Sequence, residues 1–467
     1  MTSFWDFEVW GGLNLIAVLL LSLVVANALK RTVKFLRVSL IPTSVLGGLM
    51  LLAIAASYNA ITGNVLFDGE FFGGDGTSEL GFSALEIITY HTLALGFIAT
   101  SLKTSDKKLT KERNIEIFNT GVTTVSTYLL QAVFGLGITI ILALIVKDFF
   151  PAAGVLLPFG YGQGTGQALN YGNIYETDYG FVGGKSFGLT IAALGFLSAS
   201  IGGVIYLNII RKKGKINPLY GEDGKMTSEE VQSENEIPMN GGMDKLTVQV
   251  ALILIVYILA YLVMWGLGKL LPGMRATIYG FNFLFGVLLA TLLKAILRIL
   301  QKVKVVKKQY TNNFLLDRIG NFCFDIMVVA GIAAIRLDVL KDYWGIIAIL
   351  GVVGLVITYV YNRIVARTLF KDYENEQFLM MYGMLTGTAS TGIILLREID
   401  GEFKTPAADN LIYQNFPAIV FGFPLMLLAT LAPQKPELTL LILFVFLLVM
   451  NVILFRSKIF KRKKADK

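Results

Sequence analysis

Leu157-Pro158-Phe159-Gly160-Tyr161-Gly162-Gln163-Gly164-Thr165-Gly166-Gln167 places glycine at four alternate positions within an otherwise apolar neighbourhood. A second stretch, Tyr382-Gly383-Met384-Leu385-Thr386-Gly387-Thr388-Ala389-Ser390-Thr391-Gly392, is equally rich in small residues. Each glycine costs a helix about 1 kcal/mol relative to alanine, and the backbone groups it frees find no partner in hydrocarbon. Neither stretch therefore reads as a lipid-facing helix. Each reads as a re-entrant hairpin, over 149–177 and 378–396. A hairpin of this kind turns amide N–H groups and a half-helix N-terminus toward an anion. It also offers carbonyls, with the hydroxyls of Thr165, Thr386, Thr388, Ser390 and Thr391, to a hard cation such as sodium. Small residues serve tight helix packing as well; the corresponding places of the two stretches in two halves of the chain favour a site.

Outward from the hairpins the chain is built for lipid. Of its 467 residues 55% are apolar and 16% charged, against about 25% charged in soluble domains, and the mean hydropathy is +0.65. The apolar residues form runs of about 20, the length that crosses a hydrocarbon core of ~30 Å. These features exclude a water-soluble fold and intrinsic disorder. One cysteine, Cys323, leaves no intramolecular disulfide and no cysteine zinc site. One histidine, His91, leaves no paired-histidine metal motif. The net charge of +8 sits in short loops and at the C-terminus, which fits the positive-inside rule and not a nucleic-acid groove. The opening Met1-Thr2-Ser3-Phe4-Trp5-Asp6-Phe7-Glu8 has no basic n-region, so no cleavable signal peptide is expected.

Eleven spanning helices are predicted, at 9–29, 38–58, 82–102, 114–146, 178–210, 247–271, 276–301, 314–336, 344–369, 413–432 and 437–455. The second is expected to be interrupted by Pro42 and Gly47-Gly48. Basic clusters at Lys30/Arg31/Lys34/Arg37, Lys103/Lys107/Lys108/Lys111/Arg113, Arg211/Lys212/Lys213/Lys215, Lys302/Lys304/Lys307/Lys308 and Arg456 to Lys464 all fall on one side. The loop 59–81 carries Asp68, Glu70, Asp75 and Glu79 without a basic residue and falls on the other. This topology puts the N-terminus outside and the C-terminus in the cytoplasm. The expected location is a bacterial inner or plasma membrane, crossed many times.

Five helices precede 211–246, a linker of glycine, serine and acidic residues expected to be solvated. An odd number turns the second half upside down relative to the first. Gly96, Ala99 and Leu102 match Gly331, Ala334 and Leu337, and Gly164-Thr165 matches Gly387-Thr388. The expected fold is an all-α polytopic membrane protein of two inverted five-helix repeats, each with a re-entrant hairpin, plus one extra C-terminal helix. Its parts are 1–210, the cytoplasmic linker 211–246, the second repeat 247–432, and 433–467 with the extra helix and basic tail.

Charged groups at bilayer depth are costly and tend to be functional. Arg397, in Leu395-Leu396-Arg397-Glu398, fits a clamp on a substrate carboxylate or an interfacial arginine paired with Glu398 or Asp400. Asp325, one turn beyond Asn321, fits a sodium ligand or a partner of Lys185 or Arg318. Glu86 and His91 share the third helix, where a lone histidine is more often a packing residue than a ligand.

Both hairpins, with Ile41-Pro42 before Gly47-Gly48, Phe97-Ile98-Ala99-Thr100 and Gly320-Asn321, resemble the bacterial sodium:glutamate symporter family as a divergent member. The layout resembles it to about residue 432. The resemblance implies two inverted halves, hairpins that meet at substrate and sodium sites, a homodimer, and a transport part that moves like an elevator against a scaffold. It implies glutamate or a related small carboxylate as substrate and sodium as coupling ion, with no other cofactor. Gln163 stands where better-known members carry a histidine, and Thr388-Ala389-Ser390-Thr391-Gly392 replaces a stretch richer in glycine that contains a proline. The expected substrate residues are Gln163, Gly164, Thr165, Gly166, Thr386, Gly387, Thr388, Ser390, Thr391 and Arg397; the expected sodium ligands are Thr165, Thr388, Ser390, Asn321 and Asp325. A cation/proton antiporter of similar fold is the alternative, though no adjacent acidic pair lies within a span. An intramembrane enzyme lacks a Gly-x-Ser-x-Gly elbow and has only His91 as an imidazole base. A channel would need a filter sequence, and none is visible.

Overall fold

Long apolar runs leave the helix as the one structure that pairs backbone groups in lipid. The computed structural model describes residues 4–74, 83–104, 110–213, 236, 243–401 and 404–459, and among these it contains helices and no strand. Asp75, Glu79, Lys107, Lys108, Lys215, most of the linker 211–246 and Lys461 to Lys464 lie outside the described residues.

The helices that matter below are α1 (Phe7–Thr32), α2 (Thr43–Thr62), α3 (Ala84–Leu102), α4 (Lys111–Ala143), α5 (Leu156–Gln163), α6 (Thr165–Tyr179), α7 (Gly184–Lys212) and α8 (Lys245–Leu270). They continue with α9 (Asn282–Lys302), α10 (Asn313–Ala333), α11 (Trp344–Leu369), α12 (Glu374–Leu385), α13 (Ala389–Arg397), α14 (Ala407–Tyr413), α15 (Asn415–Leu431) and α16 (Pro436–Leu454). Among the described residues nine helices are long and apolar enough to cross a membrane, and the bent pair α14–α15 makes a tenth candidate. The remaining expected span, α10, has the length but carries Asp317, Arg318 and Asp325. The chain is an all-α polytopic membrane protein.

The second span differs from expectation in part. The expected interruption at Pro42 is present, since a short helix Lys34–Val38 ends before it and α2 begins directly after it, but α2 then runs unbroken through Gly47-Gly48. Proline disfavours the helical conformation at the residue before it and is tolerated at a helix start. The two glycines instead permit close packing. A Cβ on Gly48 would lie 2.8 Å from Ile332, and one on Gly47 3.0 Å from Ser22.

The chain forms two compact units, each drawing on both halves of the sequence. The first comprises Met1–Ala26, Leu46–Lys108 and Glu222–Ala334, and the second Asn27–Val45, Leu109–Gly221 and Ile335–Lys467. In the first, α3 packs along α10. A Cβ on Gly96 would lie 2.7 Å from the Phe324 ring, and Gly320 faces Ala99 and Thr100. Ile98, Leu102, Ile253, Val256, Ala290 and Leu316 form its core where α8 and α9 join. Two residues expected to be solvated with the linker are buried here. Lys245 donates to the Glu236 carboxylate at 2.7 Å, and Asn312 Nδ2 donates to the same oxygen at 2.6 Å. A charge removed from water persists only when paired and hydrogen-bonded in this way.

In the second unit α4 is the axis. Helices α5, α11, α15 and α16 all pack on it. The extra C-terminal helix α16 is tied to α11 by Tyr361, whose hydroxyl donates to Asn451 Oδ1 at 2.8 Å, and its end is tied to α4 by Arg456, which donates to Asn119 Oδ1 at 3.0 Å. Both hairpins, α5–α6 and α12–α13, also belong to this unit.

Candidate functional site

The first hairpin turns at Gly164. Its φ of +80° and ψ of −171° define a conformation open essentially to glycine alone, and it ends α5 and begins α6 with no residue between. The second turns at Thr386-Gly387-Thr388, between the C-terminus of α12 and the N-terminus of α13. The two turns meet: a Cβ on Gly164 would lie 3.3 Å from Thr388 Cγ2 and 3.8 Å from the Gly387 carbonyl oxygen. Two broken segments more than 200 residues apart in sequence thus converge at their breaks.

At each break the carbonyl end of one short helix sits beside the amide end of another. Gly164 has no side chain, so the first-turn N–H groups of α6 have no side-chain cap from it. Thr388 makes no capping bond to α13 either; its hydroxyl lies 3.4 Å from that of Thr391. The first N–H groups of a helix have no intrahelical acceptor and carry the positive end of its dipole. Two such ends at one place favour an anion, and the terminal carbonyls of α5 and α12, with the Thr388 and Thr391 hydroxyls, favour a small cation.

The most telling side chain is Gln167, on the first turn of α6. It is 1% exposed, and neither atom of its amide has a hydrogen-bond partner. Leaving a buried polar group unpaired costs about 1–3 kcal/mol, which a ligand in the site would recover. Around the breaks the scaffold is polar and otherwise closely bonded. Tyr128 donates to the Gly162 carbonyl at 3.0 Å; Tyr161 donates to the Gly351 carbonyl at 2.6 Å and lies 2.9 Å from Ser198 Oγ. Gln131 Nε2 donates to Thr358 Oγ1 at 2.9 Å and to the Leu385 carbonyl at 3.0 Å, so α4 and α11 hold the end of α12. Gln131 Oε1 is a further buried atom without a partner.

Gly188, Gly195 and Gly202 recur every seven residues on one face of α7 and seat both hairpins. Cβ atoms there would lie 2.5 Å from the Ala168 carbonyl, 2.6 Å from the Thr386 carbonyl and 2.2 Å from the Tyr382 hydroxyl, respectively. Tyr382 in turn donates to the Ser198 carbonyl at 2.7 Å.

Of the residues expected to form the site, Gly164, Thr165, Gly166, Thr386, Gly387 and Thr391 are buried at or next to the breaks, and Gln163, Thr388 and Ser390 are half-buried there. The Thr386 hydroxyl donates back to the Tyr382 carbonyl at 2.6 Å. Arg397 is not brought to the breaks. It is exposed on the last turn of α13, about 12 Å along the helix from Ala389 at 1.5 Å per residue. Beside it Glu398 pairs with Arg211 at 3.2 Å. Asp400 accepts from the amides of Lys404 and Thr405. Asn321 and Asp325 are exposed on α10, in the other unit.

The remaining singled-out residues have structural partners. His91 Nδ1 lies 2.7 Å from the Tyr257 hydroxyl. Glu86 closes a capping box with Ser83 at the start of α3. Lys185 lies 3.9 Å from Glu176.

Sequence reasoning passed over Gln167, although it quoted it, and over the polar face of α4. There Thr120, Thr124, Thr127 and Gln131 recur at helical spacing and are buried. Their periodicity inside an apolar run was the available signal. Neither a protein-family model nor a curated protein sequence matches this chain.

Proposed function

We propose that the protein is a secondary active transporter in which sodium flowing down its gradient drives uptake of a small carboxylate, glutamate or a relative of it. The observation that carries the reading is the convergence of two uncapped half-helix N-termini beside the unpartnered, buried amide of Gln167. Paired helix N-termini neutralise carboxylate oxygens without a buried cationic side chain. Sodium binds among the carbonyls that end α5 and α12 and the hydroxyls of Thr388 and Thr391, completing the anion site next to it. Each half of the sequence supplies three long helices to the first unit, and a helix, a hairpin and a closing helix to the second, to which the second half adds α16. That order supports an inverted repeat, with the second unit as the moving carrier and the first as its scaffold. Arg397, on the last turn of α13, has no part in this form of the site.

Thermal unfolding of the purified protein tests the reading. Sodium and a dicarboxylate or acidic amino acid are expected to raise Tm more together than the sum of their separate effects, because each completes the other's site. No stabilisation by either, across a panel of such anions, would remove the symporter reading.

A further inference from the structure

A cavity of about 410 Å³ lies in the first unit, remote in sequence from both hairpins. Lys294, Arg298 and Lys302, one turn apart along α9, line one wall, and Thr104, Gln309 and Tyr310 line others. Its lining contains no acidic residue. The three cations differ in what they do. Lys294 Nζ donates to the carbonyls of Ser101 at 2.7 Å and Lys103 at 3.1 Å, and so caps the C-terminus of α3. Arg298 and Lys302 make no ion pair among the described residues. Two exposed cations with hydrogen-bonding capacity to spare, one and two turns along α9 from a third that is fixed in place, suit a phosphate oxyanion.

The position of this wall says where the phosphate comes from. On the neighbouring face of the same helix Leu288, Leu292, Ile296 and Ile299 are exposed large apolar residues, as they would be against acyl chains. The last basic residue of the wall, Lys302, ends the helix and opens the lysine-rich loop Lys304, Lys307, Lys308 that positive charge assigns to the cytoplasmic side. Basic pockets between spanning helices on that side take anionic lipid headgroups. We infer that this cavity binds the phosphate headgroup of an anionic phospholipid, with the acyl chains lying along Leu292, Ile296 and Ile299. The site anchors the first unit at the interface and is independent of what the hairpins carry.

Native mass spectrometry of the delipidated full-length protein in detergent tests this, with dioleoylphosphatidylglycerol, dioleoylphosphatidylcholine and inorganic phosphate as probes. Phosphatidylglycerol is expected to bind in preference to phosphatidylcholine. The double variant Arg298→Gln/Lys302→Gln is expected to lose that preference, with affinity falling roughly tenfold or more for two charges removed. The charge-conserving Arg298→Lys/Lys302→Arg is expected to keep most of it, which separates a lost site from a misfolded protein. Lys294 is left intact because of its capping role. Phosphatidylglycerol binding that is undiminished in the Gln/Gln variant, or equal binding of the two lipids, would overturn the site. Displacement of the lipid by millimolar inorganic phosphate would overturn the lipid as occupant in favour of a free anion.

Discussion

Gln167 separates a transport site from a well-packed hairpin. If its amide is kept unpaired for a ligand, replacing it with leucine removes the penalty and the function together. Gln167→Leu is expected to leave Tm in detergent unchanged or raised, by up to about 1–3 kcal/mol in stability, while abolishing coupled uptake. A variant that unfolds more easily and transports normally would make the glutamine structural. Thr388→Val tests the second break in the same way: it keeps the methyl that faces Gly164 and deletes the hydroxyl that faces Thr391, so insertion and folding should survive and sodium-coupled uptake should not. A third residue speaks to pH. Burial, reinforced by Asp400 and Glu374, raises the Glu376 carboxyl above its ordinary 4.5. The folded state then holds its proton more tightly than the unfolded chain, so this group's contribution to stability falls as pH rises from 4.5 through the raised value. Glu376→Gln is expected to flatten that part of the Tm-against-pH curve, and an unchanged slope would assign it to other groups.

At the scale of elements, two glycines do different work. Gly164 supplies a backbone conformation: Gly164→Ala is expected to cost about 1–3 kcal/mol, read as a lower Tm. Gly195 supplies space: with the Thr386 carbonyl 2.6 Å from any Cβ, Gly195→Val must push α12 off α7 and lower both Tm and uptake. A valine tolerated there without loss of either would show that the seat is not rigid. The hairpins were legible because alternate glycines in an apolar context contradict a lipid-facing helix, whatever the tertiary packing. Gly47-Gly48 misled for the complementary reason. The same residue type permits a break or a close helix contact, and only the neighbours Ser22 and Ile332, distant in sequence, decide between them. Arg397 follows the second hairpin closely in sequence yet sits on the far turn of α13, a separation that spacing along the chain does not reveal. The seven-residue glycine series of α7 and the threonine face of α4 were visible as periodicity, but their meaning depends on which hairpin packs against them.

For the whole molecule, apolar run length made the membrane class plain, and the alternation of basic loops gave an orientation. Cysteine labelling checks that orientation, since the one native cysteine, Cys323, is buried. Asn64→Cys is expected to react with an impermeant maleimide in intact cells, and Lys307→Cys only after the membrane is opened; the reverse pattern would invert the topology. The division into two interleaved units was not legible, because it follows long-range helix contacts and not order along the chain. The substrate was not legible either: uncapped N–H groups recognise carboxylate chemistry and do not choose among carboxylates. The decisive measurement is therefore uptake of labelled L-glutamate, with other dicarboxylates and acidic amino acids alongside, into proteoliposomes containing the purified protein, with and without an inward sodium gradient. Accumulation that requires the gradient and disappears in Gln167→Leu is the expected result. Absence of accumulation for every anion tested, or accumulation unchanged by removing sodium or by Gln167→Leu, would contradict a sodium-coupled site at the meeting of the two hairpins.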